Sequence, residues 1–300
     1  MALAALSGDE QCIIFSQLCN VLDPGVAVGF SAVSSGLWAS TQALRQQLKA
    51  DHEAVAVLCR KMGMWRCKVL RKAGKVCWNN KGLSAANLAL LGTLGSVLPA
   101  LKSLRLIKGA AGAAGHDGVQ RLVAGLGVGA LPSVITFALD SMHVGDAGAS
   151  ALAAALGRGA LPRLKILKLS NAAIGDAGLA ALAPALRRRP ALEYVDLSHN
   201  PLGDEGIAAL VAPPPPPAGA VPPPTGGLTK LKMLSLSLTQ ITDAGCATLA
   251  AAIDSGALPI LENLELQATP ASAVSPYSGS QFRAVNLALV RLRAAVRRAS

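Results

Sequence analysis

The stretch LPRLKILKLSNAAIGDAGLAALAPAL, residues 161–186, returns in outline at residue 131 (LPSVITFALDSMHVGDAGASALAAAL) and at residue 189 (RPALEYVDLSHNPLGDEGIAAL). Its short apolar-x-apolar core recurs seven times: Val76/Trp78, Leu104/Leu106, Phe137/Leu139, Leu167/Leu169, Val195/Leu197, Leu234/Leu236 and Leu264/Leu266. Successive offsets are 28, 33, 30, 28, 39 and 30 residues. A near-constant period in this range is the signature of stacked units, and about three units suffice for a continuous core.

The unit from Leu161 shows how one repeat folds. Leu167 and Leu169 lie two apart, so they share one face of a short strand and Lys168 takes the other. Ile174 and the GDAG of residues 175–178 follow, and Asp176 is placed to N-cap a helix. Leu179, Leu182 and Leu186 stand at i, i+3 and i+7, one helical face. Pro190 then bars continuation. In other units Gly129, Gly159 and Gly256 stand where a left-handed helix exit wants glycine. Pro184 breaks the pattern from inside the helix, at the expense of a hydrogen bond. A strand needs about 4.8 Å of stack and a helix about 10 Å, so strand-turn-helix units stack into an arc with strands inside. The fold class is therefore α/β, a solenoid with a curved parallel sheet inside and helices outside.

The unit resembles the ribonuclease-inhibitor type of leucine-rich repeat, on LPRLKILKLSNAAIGDAGLAAL and RPALEYVDLSHNPLGDEGIAAL, across roughly residues 76–266. The family's Asn after the strand is present as Asn200, while Met142, Ala172 and Thr239 stand at the equivalent places, which predicts turns that vary between units. The resemblance implies a protein client on the concave face. The outward strand positions that would contact it are Arg105, Ala138, Lys168, Asp196, Ser235 and Glu265, flanked by Thr136, Ile166, Tyr194, Met233 and Asn263. Their charge runs from positive to negative along the stack, a gradient able to orient a dipolar partner.

Residues 1–59 carry no repeat. Ser7 and Glu10 form a capping box for a helix with Ile14 and Leu18 on one face. Asp23-Pro24 reads as a second helix start with Val26, Phe30 and Val33 on one face. Ser34 or Ser35 opens a third, with Leu37, Leu44 and Leu48 inward. Three such helices cannot bury all their apolar surface alone. Leu6, the Ile13/Phe15/Leu18 helix, Leu22-Asp23-Pro24 and Val33-Ser34 leading to Trp38 resemble an F-box. Ser7 stands where that family has Pro, and Trp38 comes one residue later than usual. The resemblance implies docking of a Skp-type adaptor of a cullin ubiquitin ligase through Leu6, Ile13, Phe15, Leu22, Pro24, Val33 and Trp38. The alternative is a helical cap for the solenoid.

The domain organisation read from these signals is a helical unit at 1–59, a basic linker at 60–75, the solenoid at 76–267 and a tail with a capping helix at 268–300. The 39-residue unit carries a proline-rich insertion, residues 212–227, which favours extended polyproline and loops out of the stack. Net charge is +11, unevenly spread: residues 1–59 carry −3, and Arg60 to Lys81 hold eight cations and no acid. That segment reads as a solvated linker, with attraction for an anionic partner as the alternative. The tail sets Val285, Leu289 and Leu292 on one helical face among arginines, and reads as a terminal cap.

The chemistry of an enzyme is missing. There is no phosphate loop, nucleophile elbow or zinc-protease motif. The series Asp146, Asp176, Asp204 and Asp243 is accounted for as helix caps. No cofactor or metal is expected, because the four histidines do not cluster and no Cys-x-x-Cys pair occurs. An arginine-supplying GTPase activator using Arg105 stands as a distant alternative. The N-terminus lacks the form of a signal peptide, and irregular cysteines point to reduced thiols in the cytoplasm or nucleus. The uncharged stretches Pro24–Leu44 and Leu83–Leu101 read as buried helices rather than membrane spans, so neither a membrane nor a nucleic acid is an expected partner.

Overall fold

The computed structural model describes residues 6–79, 84–107, 117–211, 227–273 and 284–292. Seven strands, β1 (Lys75–Asn79), β2 (Ser103–Ile107), β3 (Thr136–Asp140), β4 (Ile166–Lys168), β5 (Tyr194–Asp196), β6 (Met233–Ser235) and β7 (Asn263–Glu265), form one parallel sheet in chain order. Val76 pairs with Leu104, then Phe137, Leu167, Val195, Leu234 and Leu264 in turn. These are the sequence offsets, the long 39-residue unit included. The proline-rich residues 212–226, the end of the basic segment at 80–81, and Arg283, Arg293, Arg297 and Arg298 of the tail lie outside the described residues.

Helices α1 (Gly8–Leu18), α2 (Gly25–Ser31), α3 (Ser35–Ser40), α4 (Gln42–Lys61) and α5 (Cys67–Lys72) precede the sheet. Between and after the strands come α6 (Ala85–Thr93), α7 (Asp117–Ala124), α8 (Gly145–Gly157), α9 (Asp176–Arg187), α10 (Asp204–Val211), α11 (Asp243–Asp254) and α12 (Pro270–Ala273). A last helix spans residues 284–292. The two uncharged stretches are broken into short helices, and no helix among the described residues is long and apolar enough to cross a membrane.

The repeat leucines form one core. Leu167, Leu169, Leu179, Leu182 and Leu186 are all fully buried and belong to a cluster that runs from Leu22 to Leu289. Gly129, Gly159 and Gly256 take φ of +67°, +92° and +79°, the left-handed exits expected there. Pro184 lies on the exposed side of α9, where water can satisfy the carbonyl it leaves without a donor, and the helix continues to Arg187.

Three local expectations are corrected. The aspartates do not cap their own helices: Gly175 is the N-cap of α9 without a side-chain bond, and Asp176 is the first helical residue. Its carboxylate instead accepts from the Gly203 and Gly206 amides of the next unit, at 2.7 and 3.0 Å. Asp146 accepts from Gly175 at 2.7 Å and Asp204 from Thr242 at 2.9 Å. At the starts of α9, α10 and α11 the free amides point back along the stack, where the preceding carboxylate sits. The turns keep one step in common, although two units add a second left-handed residue, Gly145 (φ +61°) and Ala173 (φ +56°). Ser141, Asn171, His199, Leu238 and Ala268 occupy equivalent places with φ between +51° and +58°. The first four each donate a backbone N–H to the next unit, so main-chain bonds do the work that side-chain amides do elsewhere. Asn200 adds to this by accepting from the Ala172 and Ile174 amides at 3.0 and 3.1 Å.

The third correction concerns the first seventy-five positions. Ser7 and Glu10 form the capping box, and Ser34 caps α3 by accepting from Leu37 at 3.2 Å. Asp23 is no cap; it pairs with Lys68 at 3.1 Å and Arg71 at 3.9 Å. Of the Val26/Phe30/Val33 face, Val26 and Val33 are exposed and only Phe30 packs on the small cluster of Phe15, Ala27 and Leu48, while Ala27 and Ser31 are buried. Residues 60–75 are not a free linker. The twenty-residue α4 places Leu48 in a small cluster with Phe15 and Ala27, and Val55, Leu58 and Cys59 in the solenoid core. Cys67 and Leu70 of α5 belong to the same core as Val76 and Trp78 of β1, the edge strand.

Candidate functional site: the inner face of the sheet

Alternation along each strand sends one set of side chains to the helices and the other to the inner wall. The register aligns Cys77, Arg105, Ala138, Lys168, Asp196, Ser235 and Glu265 in one row across all seven strands. Thr136, Ile166, Tyr194, Met233 and Asn263 form the row beside it. Parallel pairing of short strands brings each row together from residues about thirty apart in sequence.

The centre of the wall is a linked polar set. Lys168 Nζ stands 5.0 Å from the centroid of the Tyr194 ring, a cation–π contact. Tyr194 Oη donates to Asp196 Oδ2 at 3.3 Å, and Ser198 donates through Oγ and N to Asp196 Oδ1 at 2.6 and 3.1 Å. Burial, followed by the charges of Asp196, Glu265 and Asp140, pushes the Tyr194 phenol up to about 12, so it stays a neutral donor at neutral pH. Ser235 and Ala138 are buried; Ser235 donates to Glu265 Oε2 at 2.7 Å and so orients a carboxylate instead of presenting its own hydroxyl. Ser235 is therefore a support for the wall, not a free contact.

Asp140 was not legible as a wall residue. It lies one pleat beyond Ala138, and only the five-residue length of β3 carries the face that far. Burial raises its carboxyl above the ordinary range; Lys168 and Arg105 pull the other way. Its Oδ1 and the Nε of Arg105 are buried without a hydrogen-bond partner among the described residues. Arg105 itself is half-buried in mid-strand, not extended as a finger.

At the C-terminal edge of the sheet a groove of about 380 Å3 is lined by Asn171, His199, Asn200, Pro201, Leu238, Thr239, Gln240 and Ala268. Among the described residues no group of three or more His, Cys, Asp or Glu side chains is placed to hold a metal. All six cysteines are unpaired; burial, with Cys67 beside it, pushes the Cys59 thiol up to about 12 and makes it a poor nucleophile.

The helical unit divides its candidate residues. Phe15 and Leu22 are fully buried and hold the fold, so neither can touch a partner. Leu6 and Pro24 are half-buried. Ile13, Val33 and Trp38 are exposed, as is Val26. Arg45 stacks 3.5 Å over the Trp38 ring and donates to its carbonyl at 2.7 Å, which fixes that indole at the surface.

A leucine-rich repeat family model matches residues 161–183, 190–211 and 227–250, three consecutive units of the stack. No curated protein matches the chain. Among solved structures it is similar to actin-binding site 2 of leiomodin-1, at 15% identity and a TM-score of 0.43, over 62% of this chain and 93% of that one. The chain carries leucine-rich repeats.

Proposed function

We propose that this leucine-rich repeat chain is a non-catalytic recognition scaffold that holds a client protein along the inner face of its sheet, with units of the ribonuclease-inhibitor type. The observation that carries the reading is the linked set Lys168–Tyr194–Asp196, three half-buried side chains fixed against one another on the inner wall. Polar and aromatic groups already fixed against one another present a pre-set surface, so little ordering entropy opposes binding. Six unpaired thiols suit a reducing compartment, the cytoplasm or nucleus. The test is affinity capture with the intact chain, a Tyr194→Ala/Asp196→Arg variant and a Glu205→Ala variant on the exposed side of α10. The wall variant loses a partner that the other two retain, with its melting temperature nearly unchanged; retention of every partner by the wall variant overturns the reading.

A second reading rests on the helical unit. Four exposed apolar side chains, Ile13, Val26, Val33 and Trp38, lie on its short helices and their connections. Such residues favour a protein partner, and with the F-box resemblance they support a Skp-type adaptor and hence a substrate receptor of a cullin ubiquitin ligase. Co-elution with a Skp-type adaptor, lost in Ile13→Asp and Val33→Asp variants, tests it. Phe15 and Leu22 are unsuitable probes because their substitution unfolds the unit.

A further inference from the structure

We propose that the turn joining α4 to α5 is a peripheral docking site for an anionic membrane leaflet. Trp65 at its tip is 92% exposed, the most exposed of the large apolar side chains among the described residues. The turn that presents it is locked. Gly63 takes φ +78°, Met64 N donates back to Cys59 O at 2.8 Å, and Met62 and Met64 pack against the core. The indole therefore stands out from a fixed base, and docking costs little ordering entropy.

Cations surround the tip on both sides. Arg60 and Lys61 end α4, and Arg66 follows Trp65, all exposed. The helix α5 buries Cys67 and Leu70 and turns Lys68, Arg71 and Lys72 outward with Val69. These three stand at i, i+3 and i+4, one helical face. Asp23 pairs with two of them, Lys68 and Arg71. From residue 60 to residue 75 the sequence holds only cations, apolar residues, glycine and one cysteine. With one exposed indole, it has no second platform on which a nucleic-acid strand could continue to stack. Charge attraction plus a protruding apolar group is what an anionic lipid surface rewards: Trp settles at headgroup depth and the cations meet the acidic lipids.

Co-sedimentation of the full chain with vesicles tests this, using phosphatidylcholine with about 30% phosphatidylserine against phosphatidylcholine alone. The mixed vesicles bind the chain and the neutral ones do not, and high salt releases it. Trp65→Ala weakens partitioning several-fold, and Arg66→Glu/Lys72→Glu weakens it about tenfold or more. All three positions are exposed, and unchanged thermal unfolding verifies that the variants fold. Failure to bind the mixed vesicles, or binding indifferent to both variants, overturns the proposal. Tighter, Trp65-dependent binding of a single-stranded RNA in their place assigns the surface to nucleic acid and overturns it equally.

Discussion

A carboxylate that accepts from the helix start of the unit after its own makes three junctions of the stack a two-residue agreement. At Gly206 an added Cβ would lie 2.5 Å from Asp176 Oδ1 and 3.3 Å from its Cα, and Gly178 and Gly245 face Asp146 and Asp204 in the same way. The glycine makes the room and the preceding aspartate fills it. Asp176→Ala is expected to cost about 1–2 kcal/mol, the usual loss of a cap. Gly206→Ala is expected to cost about 1–3 kcal/mol through overpacking. In urea unfolding the double variant loses less than the two singles together, because without the carboxylate the new methyl has space. Asn200 is buried and joins two amides and three carbonyls, including Leu169 O at 2.7 Å. Asn200→Ala strands them all, and a loss of roughly 3 kcal/mol or more is expected in the same assay. Asp140 behaves oppositely. Because burial raises its folded pKa above the unfolded value, the folded state holds the proton more tightly, and ionisation destabilises it. The penalty is absent below the unfolded value, grows as pH rises through the folded one, and is full at neutral pH. Asp140→Asn is thus expected to raise the melting temperature at pH 7, with the gain shrinking as the solution is acidified.

At the scale of elements, helices approach most closely where side chains vanish. A Cβ at Gly92 of α6 would collide with the Leu122 carbonyl of α7 and meet Gly125 Cα at 3.2 Å; one at Gly125 would meet the Gly92 carbonyl carbon at 3.0 Å. Backbone cannot step aside as a side chain can. Gly92→Ala therefore pushes α6 from α7, with an expected loss of about 1–3 kcal/mol and a lower urea midpoint. Neither glycine belongs to the repeated GDxG, and only the pairing of two helices reveals their role. The same division runs through the molecule. Strand register was legible because Val76 through Leu264 repeat at intervals that a parallel sheet must honour. The outward turn of Val26 and Val33 was not, because α2 is short, and which of its faces is covered depends on α1 and α4. Asp140 was missed because strand length is set by pairing with the neighbours. The aspartate ladder was misassigned because capping reads the same in one dimension whether the carboxylate serves its own helix or the next.

Across the whole molecule the stack is open at two ends, and non-repeated chain is expected to close each. Leu58 and Cys59 of α4 and Leu70 of α5 join the core beside Trp78, while Val285 and Leu289 of the last helix join it at the other end of the chain. In a stack where each unit touches only its neighbours, stability is a sum of unit and junction terms, so damage is felt locally. Leu58→Ala removes about 2–5 kcal/mol from the first junction. Its expected signature is position-dependent: amide exchange in β1 and β2 accelerates strongly, while β6 and β7 keep their protection. Leu289→Ala reverses the order. The Lys168–Tyr194–Asp196 set lies on β4 and β5, three or four strands from β1 and two or three from β7, so both variants should leave the wall intact and client capture unimpaired. Uniform acceleration across all seven strands would mean that the leucines couple the units into a single cooperative block. In that case a lesion at either cap would disable recognition from a distance, and the inner wall could not be treated as separable from the ends that hold it.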